Sequence, residues 1–318
     1  TLCWASDPAA RQPIRLKPTR KVRFMSDATP TPDPRSFTAA LIQTCSSRDV
    51  DRNLAEVGAM IREAAAAGAN YIQTPEVTTV IETDRKRMPE VIQPEQDNRA
   101  IAAYANLARE LGIWLHIGSM AVATDDPRYA NRAFLFTPEG SIAARYDKIH
   151  MFDVQIGAGQ TYQESKRYAP GAKAVLADLP WAKLGITICY DMRFPALYRA
   201  LAKAGAEVIT VPSSFTVPTG KAHWHALLRA RAIESQCFIL AAAQAGHHEC
   251  GRDTYGHSIA ISPWGEILAE ADGETTGFIT AKIDLEQVAH ARRRVPSLEN
   301  DRPFEVVHAS EPTASAAE

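Results

Sequence analysis

Acyl transfer needs a nucleophile, a base to take its proton and a cation where negative charge develops. Three residues of this chain can supply those parts, and each stands where an apolar run ends. Glu76 closes Thr74-Pro75-Glu76 after Tyr71-Ile72-Gln73, Lys148 leaves Ala143-Ala144-Arg145-Tyr146-Asp147, and Cys189 leaves Lys183-Leu184-Gly185-Ile186-Thr187-Ile188. Taken singly, each has a plainer reading. Cys189 is a buried structural thiol, since cysteine is among the most buried residue types. Glu76 is a solvated loop carboxylate, and Lys148 a surface lysine. Taken together, three strand ends compose a complete device, with Cys189 as nucleophile, Glu76 as base and Lys148 as the cation. Cys189 is also expected beside a helix N-terminus, where backbone N–H groups favour thiolate and oxyanion alike.

Other chemistries fit the sequence less well. His223-Trp224-His225 and His247-His248-Glu249-Cys250 lack the ligand spacing of a structural or catalytic metal site, so no metal is expected. Gly157-Ala158-Gly159 lacks the third glycine of a dinucleotide fingerprint and reads as a flexible loop, so no cofactor is expected either. There is no Gly-x-Ser-x-Gly elbow. A Cys–His pair drawing on His150, His223 or His257 is the remaining nucleophilic alternative, without a local signature around Cys189.

The elements that must position these residues alternate between two periods. Phe37 to Thr44 reads as a first strand. Asp49 caps a helix carrying Val50, Leu54, Val57, Ile61 and Ala64, which Gly68 stops. Tyr71-Ile72-Gln73 is a second strand, and strand–helix–strand order implies a parallel pair whose carboxyl ends hold functional groups. A helix with Ile101, Tyr104, Ala105 and Ala108 on one face follows. Strands are then expected at Ile113–Met120, Arg132–Thr137 and Ala143–His150, with Pro138-Glu139-Gly140 as a hairpin turn. Beyond Cys189, a helix spans Phe194–Gly205 and a strand Glu207–Pro212. Gly220 introduces a helix over Lys221–Gln236, whose charge suggests one face on a sheet and another on a partner subunit. Four more strands follow at Cys237–Gln244, Gly256–Ser262, Gly265–Ala269 and Thr276–Ile283. Roughly ten strands and about five helices imply two sheets, each covered by helices.

Composition bounds the rest. The chain has 318 residues, 46% of them hydrophobic, enough for one large α/β core. With 35 basic and 37 acidic residues the net charge is −2, so no basic field speaks for nucleic acid. No run approaches the roughly 20 apolar residues of a membrane span. Five widely spaced cysteines, an odd number, form no disulfide framework and suit a reducing cytoplasm. Residues 1–35 are expected to be a disordered basic tail. Met25-Ser26-Asp27 reads as a natural start, which sets residues 1–24 apart as upstream sequence. Residues 36–306 form a single domain, and 307–318 a disordered C-terminal tail.

Three blocks, Thr74-Pro75-Glu76, Tyr146-Asp147-Lys148-Ile149-His150 and Cys189-Tyr190-Asp191-Met192-Arg193-Phe194-Pro195, resemble the signatures of the nitrilase superfamily of carbon–nitrogen hydrolases. The similarity runs from about Phe37 to Pro303. Phe152-Asp153-Val154, Glu164-Ser165, Ala222-His223-Trp224, Leu228 to Glu234 and Tyr255-Gly256-His257-Ser258 place it nearest the Nit branch. The resemblance implies an αββα sandwich, a Glu-Lys-Cys triad without cofactor, and homodimers or higher homo-oligomers. It also implies a second glutamate, Glu164, orienting Lys148 and the substrate, and an oxyanion donor at the Tyr190 backbone. Arg193, Ser214, Phe215 and His150 are candidate substrate contacts. Arg193 reads equally as a carboxylate clamp or as the structural partner of Asp191.

The implied activity is hydrolysis of a small carboxamide to carboxylate and ammonia through a cysteine thioester. Deaminated glutathione or a 2-oxo acid ω-amide is the substrate the Nit branch suggests, with Gln236-Cys237 and Ala241 to Gln244 favouring the former. Thr78-Thr79 departs from the more aromatic or apolar residues of that branch, which bears on the substrate and not on the triad. N-carbamoyl amino acids or nitriles are alternative substrates. A catalytically idle assembly subunit is the alternative of another class.

Overall fold

The computed structural model describes residues 35–156 and 161–308. The Gly157-Ala158-Gly159 loop and most of both expected tails lie outside them. In chain order come β1 (Ser36–Gln43), α1 (Val50–Ala66), β2 (Tyr71–Gln73), α2 (Met88–Val91), α3 (Arg99–Leu111), β3 (Trp114–Val122), β4 (Tyr129–Phe136) and β5 (Ile142–Asp147). They are followed by β6 (Asp153–Gln155), β7 (Thr161–Gln163), β8 (Tyr168–Ala169), β9 (Val175–Asp178), β10 (Lys183–Ile186), α4 (Pro195–Lys203), β11 (Val208–Thr210) and α5 (Val217–Ser235). Last come β12 (Phe238–Ala241), β13 (Ala245–His247), β14 (Asp253–Tyr255), β15 (Ile259–Ile261), β16 (Ile267–Glu270), β17 (Gly277–Asp284) and α6 (Glu286–Arg294). The strands outnumber the expected ten because β6, β7, β8, β9, β13 and β14 are pairings of two to four residues, too short to leave an apolar period.

Two sheets carry the architecture. The first has the order β17-β1-β2-β3-β4-β5, with β8 paired to β4, and the second β16-β15-β12-β11-β10-β9. β1, β2 and β3 run parallel, as do β10, β11 and β12, and antiparallel strands flank both triplets. Alternation along β1 shows how two cores are built from one strand. Ala39 and Leu41 point into the layer between the sheets, while Ala40 and Ile42 point outward to a core shared with Val57 and Ile61 of α1 and Tyr104 and Ala108 of α3. The inner core is continuous with Leu197 and Leu201 of α4 and Trp224 and Leu228 of α5. Helices, sheet, sheet and helices therefore stack as a four-layer αββα sandwich.

Local chemistry explains the helix limits. Asp49 caps α1 by accepting from the Asp51 and Arg52 amides at 2.9 and 3.2 Å, and Asn98 caps α3 in the same way. α5 starts at Val217, earlier than the expected Lys221, because Pro218 suits the first turn. Gly220 lies inside this helix, where a Cβ would overlap the Tyr255 ring; the glycine serves close approach and does not open the helix. The charges of α5 are also used internally. Arg231 is buried, donates to the Met192 carbonyl at 2.7 Å and pairs with Glu234, and Arg229 donates to the Gly265 carbonyl at 3.0 Å.

Candidate active site

Both sheets deliver residues to one cavity. Glu76 lies just past β2 and Lys148 directly past β5, both on the first sheet; Cys189 lies past β10 and Ser214 past β11, on the second. The ends of the two sheets meet because position 118 is glycine. A Cβ on Gly118 of β3 would overlap the Thr74 carbonyl and the Pro212 ring, so any side chain there would push Glu76 away from Cys189 and Ser214. On the facing side, the Cys189 amide donates to the Pro212 carbonyl at 2.9 Å.

Glu76, Lys148, Glu164, Cys189, Ser214 and Phe215 line this cavity, with Asn131, Phe152, Tyr162, Arg167 and Arg252 among their neighbours. Lys148 Nζ donates to Glu76 Oε1 at 2.8 Å and to Glu164 at 2.9 and 3.0 Å. Asn131 Nδ2 donates to Glu76 Oε1 at 2.9 Å, and the Ser214 amide to Glu76 Oε2 at 2.8 Å. Glu164 opens a short 3₁₀ turn after β7 and also accepts from the Phe152 amide at 2.6 Å. Cys189 and Val77 both hold positive φ, 47° and 52°. A β-branched residue at such an angle is strained, and backbone strain of this kind gathers at functional sites.

The electrostatics of this cluster correct one expectation. Burial alone would raise the Glu76 pKa, but the charge and hydrogen bond of Lys148 outweigh it and hold the carboxyl below its ordinary range. Burial would lower Lys148, yet Glu164 and Glu76 raise it well above the usual lysine value. The Cys189 thiol is pushed far up, first by burial and then by the facing Glu76 carboxylate. The resting state is therefore carboxylate, ammonium and neutral thiol, not the thiolate that a helix N-terminus would favour. The reason is local. Cys189 begins a 3₁₀ turn, Cys189–Arg193, whose short dipole cannot offset a buried anion beside the sulfur.

Not every expected contact reaches the cavity. His150 does not line it; its ring stacks on Phe194 at 3.5 Å and its Nδ1 meets Asp191 at 2.7 Å. Arg193 does not line it either, and does not pair with Asp191. Its guanidinium lies over the Tyr190 and Phe215 rings, at 5.8 and 5.4 Å, and within 3.3 Å of His223 Nδ1. Asp191 takes its partners elsewhere, from Tyr146, His150 and the Ile188 amide. Among the described residues no histidine is hydrogen-bonded to Cys189: His150 serves Asp191, His257 lies 3.0 Å from Glu270, and His223 meets Arg193. Of the Tyr190 backbone, the N–H has no acceptor among the described hydrogen bonds, whereas its neighbours at 189 and 191 bond to Pro212 and Ile188.

Sequence reasoning missed Asn131, Arg167 and Arg252 in the cavity wall. Asn131 sits inside β4 and the arginines in short irregular segments, so no period marks them. It also missed His225, His257 and Glu270, whose ligand atoms lie within 4.8 Å of one another. These three come from three separate elements. Glu270 Oε1 lies 2.7 Å from His225 Nε2 and 3.0 Å from His257 Nδ1, an arrangement that could hold a divalent cation.

A four-layer αββα sandwich whose two sheets bring a carboxylate, a lysine and a cysteine into one cavity defines the nitrilase type of architecture. The carbon–nitrogen hydrolase family model matches residues 38–293, and the chain belongs to that family, within the nitrilase superfamily. It is 38% identical over 271 residues to deaminated glutathione amidase of Yersinia enterocolitica, covering 84% of this chain and 94% of the relative. It is 33% identical over 273 residues to omega-amidase NIT2 of Mus musculus, covering 84% and 95%. Among solved structures, the C. elegans NitFhit protein superposes with a TM-score of 0.78 at 33% identity over 84% of this chain and 65% of that longer one.

Proposed function

We propose that this carbon–nitrogen hydrolase cleaves a carboxylate-bearing amide by a thioester mechanism, with Cys189 as nucleophile, Glu76 as base and Lys148 as the oxyanion's cation. The observation that carries this reading is the Glu76–Lys148–Glu164 ion network closed around a buried thiol in a single cavity. Glu76 removes the Cys189 proton as sulfur attacks the carbonyl carbon, so charge separates only when substrate is in place. Lys148 and the Tyr190 N–H hold the tetrahedral oxyanion. The protonated Glu76 then donates to the departing nitrogen, leaving the thioester. Finally Glu76 takes a proton from water, hydroxide attacks the thioester, and the proton returns to sulfur. Glu164 keeps Lys148 aimed, and Asn131 and the Ser214 amide hold Glu76 in the attacking geometry.

The names of the relatives support deaminated glutathione or a 2-oxo acid ω-amide as substrate. The first is a secondary amide that releases an amine, the second a primary amide that releases ammonia. Glu76 protonates either leaving group. Cys189→Ser is expected to abolish turnover of both, and mass spectrometry of the quenched wild-type reaction to show an acyl adduct on Cys189. Turnover of the Cys189→Ser variant at the parent rate would refute the assignment. An idle assembly subunit would show neither adduct nor turnover, and N-carbamoyl amino acids or nitriles as preferred substrates would redirect the reading within the family.

Two features support homodimerisation and a reducing compartment, which we assign as the cytoplasm. Ile233, Trp264 and Val295 are each about half exposed, at 50%, 45% and 48%, and Arg294 stacks over Trp264 at 4.1 Å. Cys45, Cys189, Cys237 and Cys250 are all free thiols. Among the described residues no helix is long and apolar enough to cross a membrane. Sedimentation of a monomer at micromolar concentration, or a membrane-bound fraction on cell fractionation, would count against these assignments.

A further inference from the structure

We propose that Arg252, seconded by Arg167, binds the substrate's carboxylate at the outer end of the cavity and thereby sets specificity for anionic amides. This rests on the amidase reading above but assigns a residue that reading does not require. Three carboxylates line the cavity, and each already has a cation. Glu76 and Glu164 share Lys148, and Glu82 is held by Arg48 at 2.8 and 2.9 Å and by Arg87 at 3.6 Å. Arg252 and Arg167 also line the cavity, and neither has a carboxylate within salt-bridge reach among the described residues. Counting the pair on Glu82, five cations face three carboxylates, and the excess sits on these two arginines.

The contacts of Arg252 orient it without consuming it. One terminal nitrogen donates to the Ser214 carbonyl, its guanidinium lies 5.7 Å from the Tyr162 ring centre, and its buried Nε has no acceptor. A buried guanidinium N–H with no partner is costly unless a ligand satisfies it. Arg167 is held by the Thr83 carbonyl at 3.3 Å. Position agrees as well. Tyr162, Thr216 and Arg252 border both the Cys189 cavity and a second, wider basin that reaches Lys221 and His257. Arg252 thus stands at the junction, beyond the reacting carbon, and its charge is still felt at Glu76. In that basin the carboxylates are Asp253, which meets His247 at 2.7 Å, and Glu274, while Lys221 adds a further cation. A guanidinium fork at this junction matches a carboxylate bidentately.

The test compares glutaramate with its neutral counterpart valeramide, measuring kcat/KM for each with wild type, Arg252→Gln, Arg252→Lys, Arg167→Gln and Arg193→Gln. Wild type is expected to prefer glutaramate. Arg252→Gln should lower that preference about 10- to 100-fold, mostly through KM, as loss of a hydrogen bond to a charged group predicts. Arg252→Lys should restore part of it, Arg167→Gln should lower it less, and Arg193→Gln should leave it as it is. An unchanged preference in Arg252→Gln, or equal loss on both substrates, would overturn the proposal, the latter assigning Arg252 to support of Ser214. If no Arg252 variant folds, stronger competitive inhibition of wild type by glutarate than by valerate, which lacks only the distal carboxylate, sustains the proposal, and equal inhibition sinks it. Absence of wild-type turnover on either amide, with no acyl-Cys189, fails the amidase reading instead.

Discussion

Two buried carboxylates flank the same elbow of the chain and do opposite work. Asp191 accepts from the Tyr146 hydroxyl at 2.7 Å, His150 Nδ1 at 2.7 Å, the His150 amide at 3.0 Å and the Ile188 amide at 2.9 Å. Glu76 accepts from Lys148 at 2.8 Å, Asn131 at 2.9 Å and the Ser214 amide at 2.8 Å. Each carboxylate is therefore well satisfied, as a buried anion must be. They differ in what donates and in what lies beside them. Asp191 is fixed by groups with no free space and ties the exits of β5 and β10 together. Glu76 is fixed by a cation and two neutral donors, on the wall of a cavity that Cys189 also lines. Both are satisfied; a cation partner and a place on the cavity wall are what suit Glu76, and not Asp191, to the proposed role of base.

The two carboxylates differ most at Lys148, the cation that only Glu76 has. Lys148→Met is expected to lower kcat at least 10²- to 10³-fold, the cost of about one oxyanion donor. It leaves Glu76 and Glu164 as buried anions without their cation, which should cost about 3–5 kcal/mol of stability by denaturant unfolding. Retained activity in this variant would mean that Glu76 needs no counter-charge. Asp191→Asn should show the reverse balance. The amide cannot accept from all four donors, and a loss of about 1–3 kcal/mol in stability is expected. Residual activity should follow the folded fraction. Loss of activity with unchanged stability would erase the distinction between the two carboxylates.

pH moves the two groups at the cavity less. Glu76 is held below its ordinary value of 4.5 and Cys189 above its ordinary 9.0. The pH profile of kcat/KM should therefore stay flat from about pH 5 to pH 9, with an acid limb below 4.5 where the base becomes protonated. The sign for stability agrees: Glu76's contribution is complete above its unfolded pKa and is lost as pH falls through the depressed folded one. Alkylation of native Cys189 by iodoacetamide should lack the rise near pH 9 that the unfolded chain shows. A limb between 6 and 8 would indicate a histidine partner and a Cys–His mechanism.

Much of this was legible in sequence. Tyr71-Ile72-Gln73 is β2 as read, Asp49 does cap α1, and Pro138-Glu139-Gly140 turns β4 into β5, with Gly140 at φ 77°. Glu76, Lys148, Glu164, Cys189, Ser214 and Phe215 were all anticipated at the place where they meet. Arg193 and His150 were expected there as well but do not line the cavity, since charge and ring type say nothing about which way a side chain leaves a 3₁₀ turn. Asn131 and Arg252 carried no signal, because an asparagine inside a strand and an arginine in a hairpin are ordinary in isolation.

The sequence by itself determined the periods, the caps and the positions of chemistry at strand exits, because these depend on neighbours within a turn or a strand. Only the tertiary structure decided which carboxylate lines the cavity, which way burial and charge move the thiol, and which arginines are left without a carboxylate. Those properties are sums of burial and charge over residues more than fifty positions apart in the chain, such as Glu76 and Lys148, 72 apart. They exist only once Gly118 lets the two sheets close around one cavity.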